Sequence, residues 1–174
     1  MTLIPVRGLP FRRLSLLIAV LALGCDQVSF PTPGPDESFQ ATLGGANEVP
    51  PVAAAGSGTA IFAVTLDTFF AFRIDVAAID SPTIAHIHEG AAGVPGGIIM
   101  TLYTGPTRGL AYAGVLGQNQ LRPSTMTELP AGFGATPRAR FDSLLVLMRT
   151  GGVYVNVHSR SNAAGHLRGQ IGLQ

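Results

Sequence analysis

Short runs in which apolar and polar residues alternate recur along the chain from residue 38 onwards. In Phe70–Val76, the large apolar side chains alternate with Ala71, Arg73 and Asp75. Comparable alternation occurs at 39–43, 60–66, 98–103 and 153–158. Successive side chains of a strand point to opposite faces, so these runs predict strands with one buried face. Glycine and proline separate them, which indicates an all-β fold, an antiparallel Greek-key-like β-sandwich or barrel.

One segment near the C-terminal end departs from this alternation. Four apolar residues there are spaced at i, i+3, i+4 and i+7, namely Phe141, Leu144, Leu145 and Met148. This spacing places them on one stripe of a helix. Two glycines at 151–152 provide a C-terminal stop. The pattern therefore predicts one short helix over residues 141–149.

The first residues have the pattern of an export signal. Residues 1–13 carry three arginines and no acid, and an uncharged, largely apolar run of eleven residues, 14–24, follows. A membrane-spanning helix needs about 20 such residues, so residues 1–24 are predicted to be a secretory signal peptide. A small residue directly before the lone Cys25 resembles bacterial lipoprotein signals, in which the cysteine is lipidated and becomes the mature N-terminus. The alternative is an ordinary signal peptide with an incidental cysteine.

The next segment, 25–37, contains three prolines and is predicted to be an extended linker. A single domain over residues 38–174 would follow it. Cleavage before Cys25 removes three of 11 basic residues and none of the 10 acidic ones, leaving 8 against 10 and a net charge of about −2. This balance argues against a nucleic-acid partner.

Residue usage narrows the chemistry further. All basic residues are arginine, so Schiff-base and P-loop lysine chemistry is excluded. One cysteine excludes an intrachain disulfide framework and a multi-cysteine zinc cluster. The Gly-x-Ser-x-Gly, Gly-x-Gly-x-x-Gly and His-Glu-x-x-His motifs are missing, and no pair of carboxylates is spaced as an acid and a base. We therefore expect a protein without catalytic activity.

Four histidines are the strongest candidates for chemistry: His86, His88, His158 and His166. His86 and His88 are two apart on a predicted strand and share a face, with their apolar neighbours turned to the core. His158 ends another predicted strand, on the face opposite its valines. If these strands are neighbours, three imidazoles converge, and His166 could add a fourth. Such a set suits copper or zinc.

A structural role is the alternative for these histidines, because imidazoles on the wetter face of a strand are often hydrogen-bonded groups. Glu89 directly follows His88 and is either a partner that orients an imidazole or a solvated turn residue. Arg168 could pair with Glu89 or Glu48, or close a structural turn. With Asn156, these residues form a predicted structural polar cluster: Glu48, Glu89, Asn156 and Arg168.

Together these segments resemble a CHRD (chordin-type) domain. The segments that carry the resemblance are 39–43, 47–51, 85–90, 141–148, 154–159 and 165–171. It covers about residues 38–174 and implies a secreted or surface β-sandwich; in chordin, such domains belong to an extracellular growth-factor antagonist. The family usually has glutamate where this chain has His166. The paired histidines and His158 are also similar to the copper ligands of copper/zinc superoxide dismutase, although its zinc-loop histidines have no counterpart here.

Two hypotheses follow from the sequence. The first is an extracytoplasmic CHRD lipoprotein with a binding or structural role, attached to the membrane through lipid on Cys25, with an envelope or extracellular protein as partner and no cofactor. The alternative is a copper- or zinc-binding protein that uses the histidine cluster, either as a metal carrier or as a weak superoxide-dismutase-like redox site.

Overall fold

A computed structural model describes residues 36–65 and 68–174 of the chain. The predicted signal peptide, Cys25 and nearly all of the linker lie outside the described residues. Within the described part, no helix is both long and apolar enough to cross a membrane.

The residues that the structure describes form nine strands and one α-helix. The strands are β1 (Glu37–Gly44), β2 (Ser57–Thr65), β3 (Phe69–Ile79), β4 (Pro82–Glu89), β5 (Ile98–Thr104), β6 (Tyr112–Leu121), β7 (Val153–Ser159), β8 (Leu167–Gln170) and β9 (Gly172–Leu173). The helix α1 spans Pro137–Arg149. Three short 3-10 turns lie at Gly45–Asn47, Pro123–Thr125 and Ala131–Phe133.

Every strand pairing is antiparallel, in the order β5-β4-β7-β8-β1-β2-β3-β6, and β9 pairs with β1. The two terminal strands of this order, β5 and β6, approach each other at Gly117. A Cβ there would lie 3.2 Å from Tyr103 Cβ and 3.3 Å from Leu102 O, so glycine permits the approach. The sheet is thus a nearly closed barrel, which confirms the predicted all-β antiparallel class.

The barrel interior holds most of the apolar residues of the alternating runs, whereas Ile98, at the start of β5, is 54% exposed and its neighbour Ile99 is buried. Phe70 is fully buried, and its ring centroid lies 5.8 Å from that of Phe62 and 5.5 Å from that of Phe141 on α1. The apolar stripe of α1 therefore packs on the core, as its spacing predicts. Burying one such phenylalanine contributes on the order of 2–3 kcal/mol.

The helix begins four residues earlier than predicted. Thr136 Oγ1 accepts a hydrogen bond from the backbone N–H of Ala139 at 3.2 Å, and Pro137 occupies the first turn. Both features favour a helix N-terminus. The apolar stripe marks only the buried face, so it could not locate this capped first turn.

The outer face of β4, β7 and β8 is buried by loops rather than exposed. Inward side chains of these strands belong to the core, and the alternate residues point outward. We call these outward residues the polar layer: His86, His88, Tyr154, Asn156, His158 and Arg168. Segments 45–56, 90–97 and 160–166 contact this layer through hydrogen bonds. The fold thereby creates a second, polar interior outside the barrel.

Candidate metal centre

Strand pairing brings three of the four histidines together. Strands β4 and β7 are neighbours, in a register that sets His86 opposite Asn156 and His88 opposite Tyr154. In the same pairing, His158 lies opposite Ile84. One nitrogen each from His86, His88 and His158 lies within 4.8 Å of the others. The condition on which the sequence prediction depended, adjacency of these two strands, is therefore met.

The spacing of the nitrogens is close to that of a coordination sphere. His86 Nδ1 and His158 Nε2 are 3.2 Å apart. Two nitrogens bound at 2.0–2.1 Å to one ion at a tetrahedral angle are roughly 3.4 Å apart. All three nitrogens lie within 4.8 Å of one another, so the widest pair must close by at most about 1.4 Å to share an ion.

Backbone carbonyls fix which ring nitrogens face the cluster. His88 Nδ1 lies 2.9 Å from Gly96 O, and His158 Nδ1 lies 3.0 Å from Ala163 O. A carbonyl oxygen only accepts, so each Nδ1 carries the proton and each Nε2 keeps its lone pair. By the same logic, His86 Nδ1 donates to His158 Nε2 in the metal-free protein, so the His86 proton must move to Nε2 before its Nδ1 can bind an ion. His88 Nε2 remains a buried acceptor without a hydrogen-bond partner among the described residues.

The environment keeps the cluster uncharged. Burial, reinforced by the neighbouring His158 and His88, lowers the pKa of His86 to about 4. Burial also lowers the pKa of His88, and it lowers that of His158 against the opposing effect of the hydrogen bond that His158 donates to Ala163 O. All three imidazoles are therefore neutral near pH 7, which is the form that ligates metal ions. His86 and His88 are buried and His158 is half-buried, so access from solvent is at the His158 side.

Tyr154 and Arg168 form a stack of side chains against the His88 ring. The Tyr154 ring lies parallel to the His88 ring, with centroids 5.0 Å apart, and Arg168 Cζ lies 3.4 Å from the Tyr154 centroid. Tyr154 Oη also accepts from Gly96 N–H at 3.1 Å. Tyr154 was not among the predicted site residues, although the alternation of β7 places it on the face that carries His158.

Arg168 and a glycine fix the loop that orients His88. Arg168 Nη2 donates to Ala91 O at 3.1 Å and to Val94 O at 2.8 Å. A Cβ on Gly96 would lie only 1.6 Å from Glu89 O, so only glycine fits there without a shift of the backbone. The loop 90–97 is thus held in the conformation that presents Gly96 O to His88.

The structure places His166 outside this cluster. Its Nδ1 lies 2.7 Å from Ser159 Oγ, and its Nε2 lies 2.8 Å from Ala55 O. Both ring nitrogens are engaged, and His166 is 2% exposed. In this structure His166 links the 160–166 loop to the segment before β2 and is not oriented as a fourth ligand.

Comparison with known proteins identifies the domain. The CHRD domain family model matches residues 39–171. The chain belongs to the CHRD family. Neither the comparison with curated proteins nor the comparison with solved structures found a match.

Three of the four residues of the predicted polar cluster meet beside the histidines of this CHRD domain. Asn156 Nδ2 donates to Glu48 Oε2 at 3.1 Å. Burial raises the pKa of Glu48, opposed by the Asn156 hydrogen bond and the charge of Arg168. A Cβ on Gly165 would lie 2.7 Å from both Glu48 carboxylate oxygens, so this glycine makes room for the buried acid.

Glu89 lies apart from the other predicted members of this cluster. It is exposed at the end of β4, and its backbone N–H bonds Gly97 O at 2.9 Å. Strand alternation turns its side chain away from the face that carries His88. Of the two roles predicted for Glu89, its position is that of a solvated turn residue and not that of a partner to an imidazole.

A cavity of about 450 Å³ lies beside Arg168 and Glu48. Its lining comprises Ala46, Asn47, Glu48, Val49, Pro51, Ala92, Gly93, Arg168 and Gln170. The cavity borders the polar cluster, while the three clustered histidines do not line it.

Proposed function

We propose that this CHRD domain binds a copper or zinc ion through His86, His88 and His158. Membership of the CHRD family supports a binding or structural role. The observation that carries the metal proposal is the convergence of three neutral imidazoles. One lone pair among them, on His88 Nε2, is buried and has no hydrogen-bond partner among the described residues. Leaving such an acceptor unpaired costs on the order of 1–3 kcal/mol, which a bound ion would recover.

The donor set supports these two metals in particular. Imidazole nitrogens suit copper and zinc, whereas magnesium and calcium prefer oxygen ligands. The carbonyls of Gly96 and Ala163 hold two rings in the required tautomer, as the outer partners of metal-bound histidines do. Three protein ligands leave a position for water or for a transfer partner. The proposed role is to hold and hand on the ion, without turnover of a substrate.

We further propose that the protein is exported and attached to a membrane through lipid on Cys25. The basic segment 1–13, the short run 14–24 and the position of the single cysteine support this proposal. The linker would hold the domain away from the membrane, where an envelope or extracellular protein is the proposed partner. A Cys25→Ser variant expressed in a bacterial host should move from the membrane fraction to the soluble extracytoplasmic fraction. Unchanged membrane retention would refute the anchor.

Metal analysis of the purified full chain tests the central proposal. A Cys25→Ser background removes the lone thiol, which could itself bind copper. After loading with copper or zinc and dialysis, this protein should retain near one equivalent, measured by mass spectrometry of the elements. His86→Ala and His88→Ala should retain almost none while keeping the circular dichroism of a β fold.

His166→Asn supplies the matched control, because His166 is a buried histidine outside the cluster. It should retain the ion as long as the fold is intact. Equal loss of metal in the folded His166 variant would place the ligands elsewhere, and no retained metal in the parent would refute the proposal. A superoxide-consumption assay on the copper-loaded protein tests the redox alternative, and we expect no rate above that of the His86→Ala control.

A further inference from the structure

The ligand set of the proposed centre carries no negative charge. Among the residues that the structure describes, the group that could hold an ion consists of three histidines and contains no carboxylate. The nearby acid Glu48 is hydrogen-bonded to Asn156, and Glu89 is exposed at the end of β4. An ion bound here therefore keeps its full charge in a partly buried site, where each added charge is costly.

A permanent cation is buried behind this ligand set. Arg168 is 3% exposed and lies against Tyr154, whose opposite face stacks on His88. An arginine side chain in a protein carries a fixed positive charge. The hydrogen bonds of Arg168 Nη2 go to the carbonyls of Ala91 and Val94, which are dipoles and do not cancel its charge. Glu48 is the acid whose charge opposes that of Arg168.

We propose that the centre prefers Cu(I) over Cu(II) and Zn(II), and that the charge of Arg168 sets this preference. The proposal rests on the metal function proposed above and specifies its ion. A divalent ion is repelled twice as strongly as a monovalent one by the same fixed cation. Ligand geometry adds a preference only against Cu(II), which favours a tetragonal arrangement, because three imidazoles and one water also make an ordinary zinc site. The preference over Zn(II) therefore rests on charge.

The size of the effect follows from Coulomb's law. Arg168 Cζ lies 3.4 Å from the Tyr154 centroid, which lies 5.0 Å from the His88 centroid, so an ion at the cluster is on the order of 10 Å from the guanidinium. At that distance and an effective dielectric constant of about 20, one extra unit of charge on the ion changes the binding ratio roughly tenfold. For the one-electron Cu(II)/Cu(I) couple, a tenfold change in that ratio equals about 59 mV in reduction potential.

Competition titrations on the full chain measure this ratio directly. Cu(I), kept reduced with ascorbate under argon, is titrated against a Cu(I)-specific chelator, and Cu(II) and Zn(II) are titrated against chelators of known affinity. The parent should bind Cu(I) most tightly of the three ions.

Arg168→Gln should lower the ratio of Cu(I) to Cu(II) affinity roughly tenfold. Arg168→Lys keeps the charge but not the planar fork, and it should preserve most of this ratio. Arg122→Gln is the matched control, since this arginine packs over Phe69 and is not part of the polar layer.

Loosening of the 90–97 loop in Arg168→Gln would weaken all ions together and leave the ratio unchanged. Glu48→Gln provides a test that does not depend on the folding of the arginine variants. At pH 8 it removes the opposing charge and should raise the Cu(I) preference.

Retention of metal with equal or tighter binding of Zn(II) or Cu(II) would overturn the Cu(I) proposal and leave the metal function standing. A ratio that does not respond to either Arg168→Gln or Glu48→Gln would overturn the role of the Arg168 charge. A parent chain that binds none of the three ions would instead refute the metal function itself.

Discussion

The low pKa of His86 makes the stability of the metal-free domain depend on pH in a predictable direction. In the unfolded chain His86 titrates near 6.5, and in the folded protein its pKa is lowered to about 4. Below pH 6.5 the unfolded state therefore takes up a proton that the folded state does not. His86 should contribute nothing to this difference above pH 7, and should destabilise the fold progressively between pH 6.5 and 4.

The magnitude follows from the same two values. Each pKa unit corresponds to about 1.36 kcal/mol, which gives roughly 3 kcal/mol for the full interval. Solvent access at the half-buried His158 screens the cluster, so we expect a loss of about 2 kcal/mol at pH 4 relative to pH 7.

Urea unfolding of metal-free protein at several pH values measures this loss. The parent is compared with His86→Asn, which has no group that titrates in this range but keeps an amide donor near the His158 ring. Other groups also titrate: burial raises the pKa of Glu48, while Arg73 lowers that of Asp75. The contributions of Glu48 and Asp75 are largely common to both proteins. His88 and His158 also have lowered pKa values and are coupled to His86, so the difference between the two curves measures His86 together with that coupling.

The stability of the parent relative to His86→Asn should fall as the pH drops from 6.5 to 4. A flat difference, or one of opposite sign, would show that His86 is solvated or charged in the folded state. That result would also remove the argument that neutral ligands await a metal ion.

Other substitutions test separate contacts. Gly165→Ala should destabilise the domain by about 1–3 kcal/mol in thermal unfolding, because its Cβ would lie 2.7 Å from the Glu48 carboxylate oxygens; an unchanged Tm would contradict this packing. Phe141→Ala should cost about 3–5 kcal/mol in urea, since this ring is fully buried against the core, and a loss below 1 kcal/mol would mean that the helix is not docked. Gly96→Ala forces Glu89 O to move and should weaken metal binding at least tenfold while the barrel stays folded; unaltered affinity would show that the Gly96 carbonyl does not orient His88.

The strands and the helix could be predicted because their signals are local. Period-two alternation at 153–158 identified β7, and the stripe beginning at Phe141 identified α1. The pairing of β4 with β7 could not be predicted in this way, since His86 and His158 are 72 positions apart and no local pattern records which strands are neighbours. The strand order that joins them is a property of the whole chain.

The different placements of His158 and His166 could not be predicted from local sequence patterns either. The sequence offers two imidazoles of identical chemistry, separated by one loop. One ring meets the carbonyl of Ala163 and faces the cluster, and the other is held between Ser159 and Ala55. Loop backbone atoms make this distinction, and loop conformation leaves little trace in hydrophobic periodicity. For the same reason, the carbonyl of Gly96 could not be recognised as a partner of His88.

The long separation between the two halves of the centre has a consequence for when the chain can acquire an ion. His86 and His88 emerge first during synthesis or export, and His158 follows 72 positions after His86. A partial chain that lacks β7 carries two histidines on β4, which can pair with β5, but it lacks the third ligand. If the domain folds only after export, the proposed centre comes into existence on the far side of the membrane. The metal supply of that compartment, rather than that of the cytoplasm, would then determine what it carries.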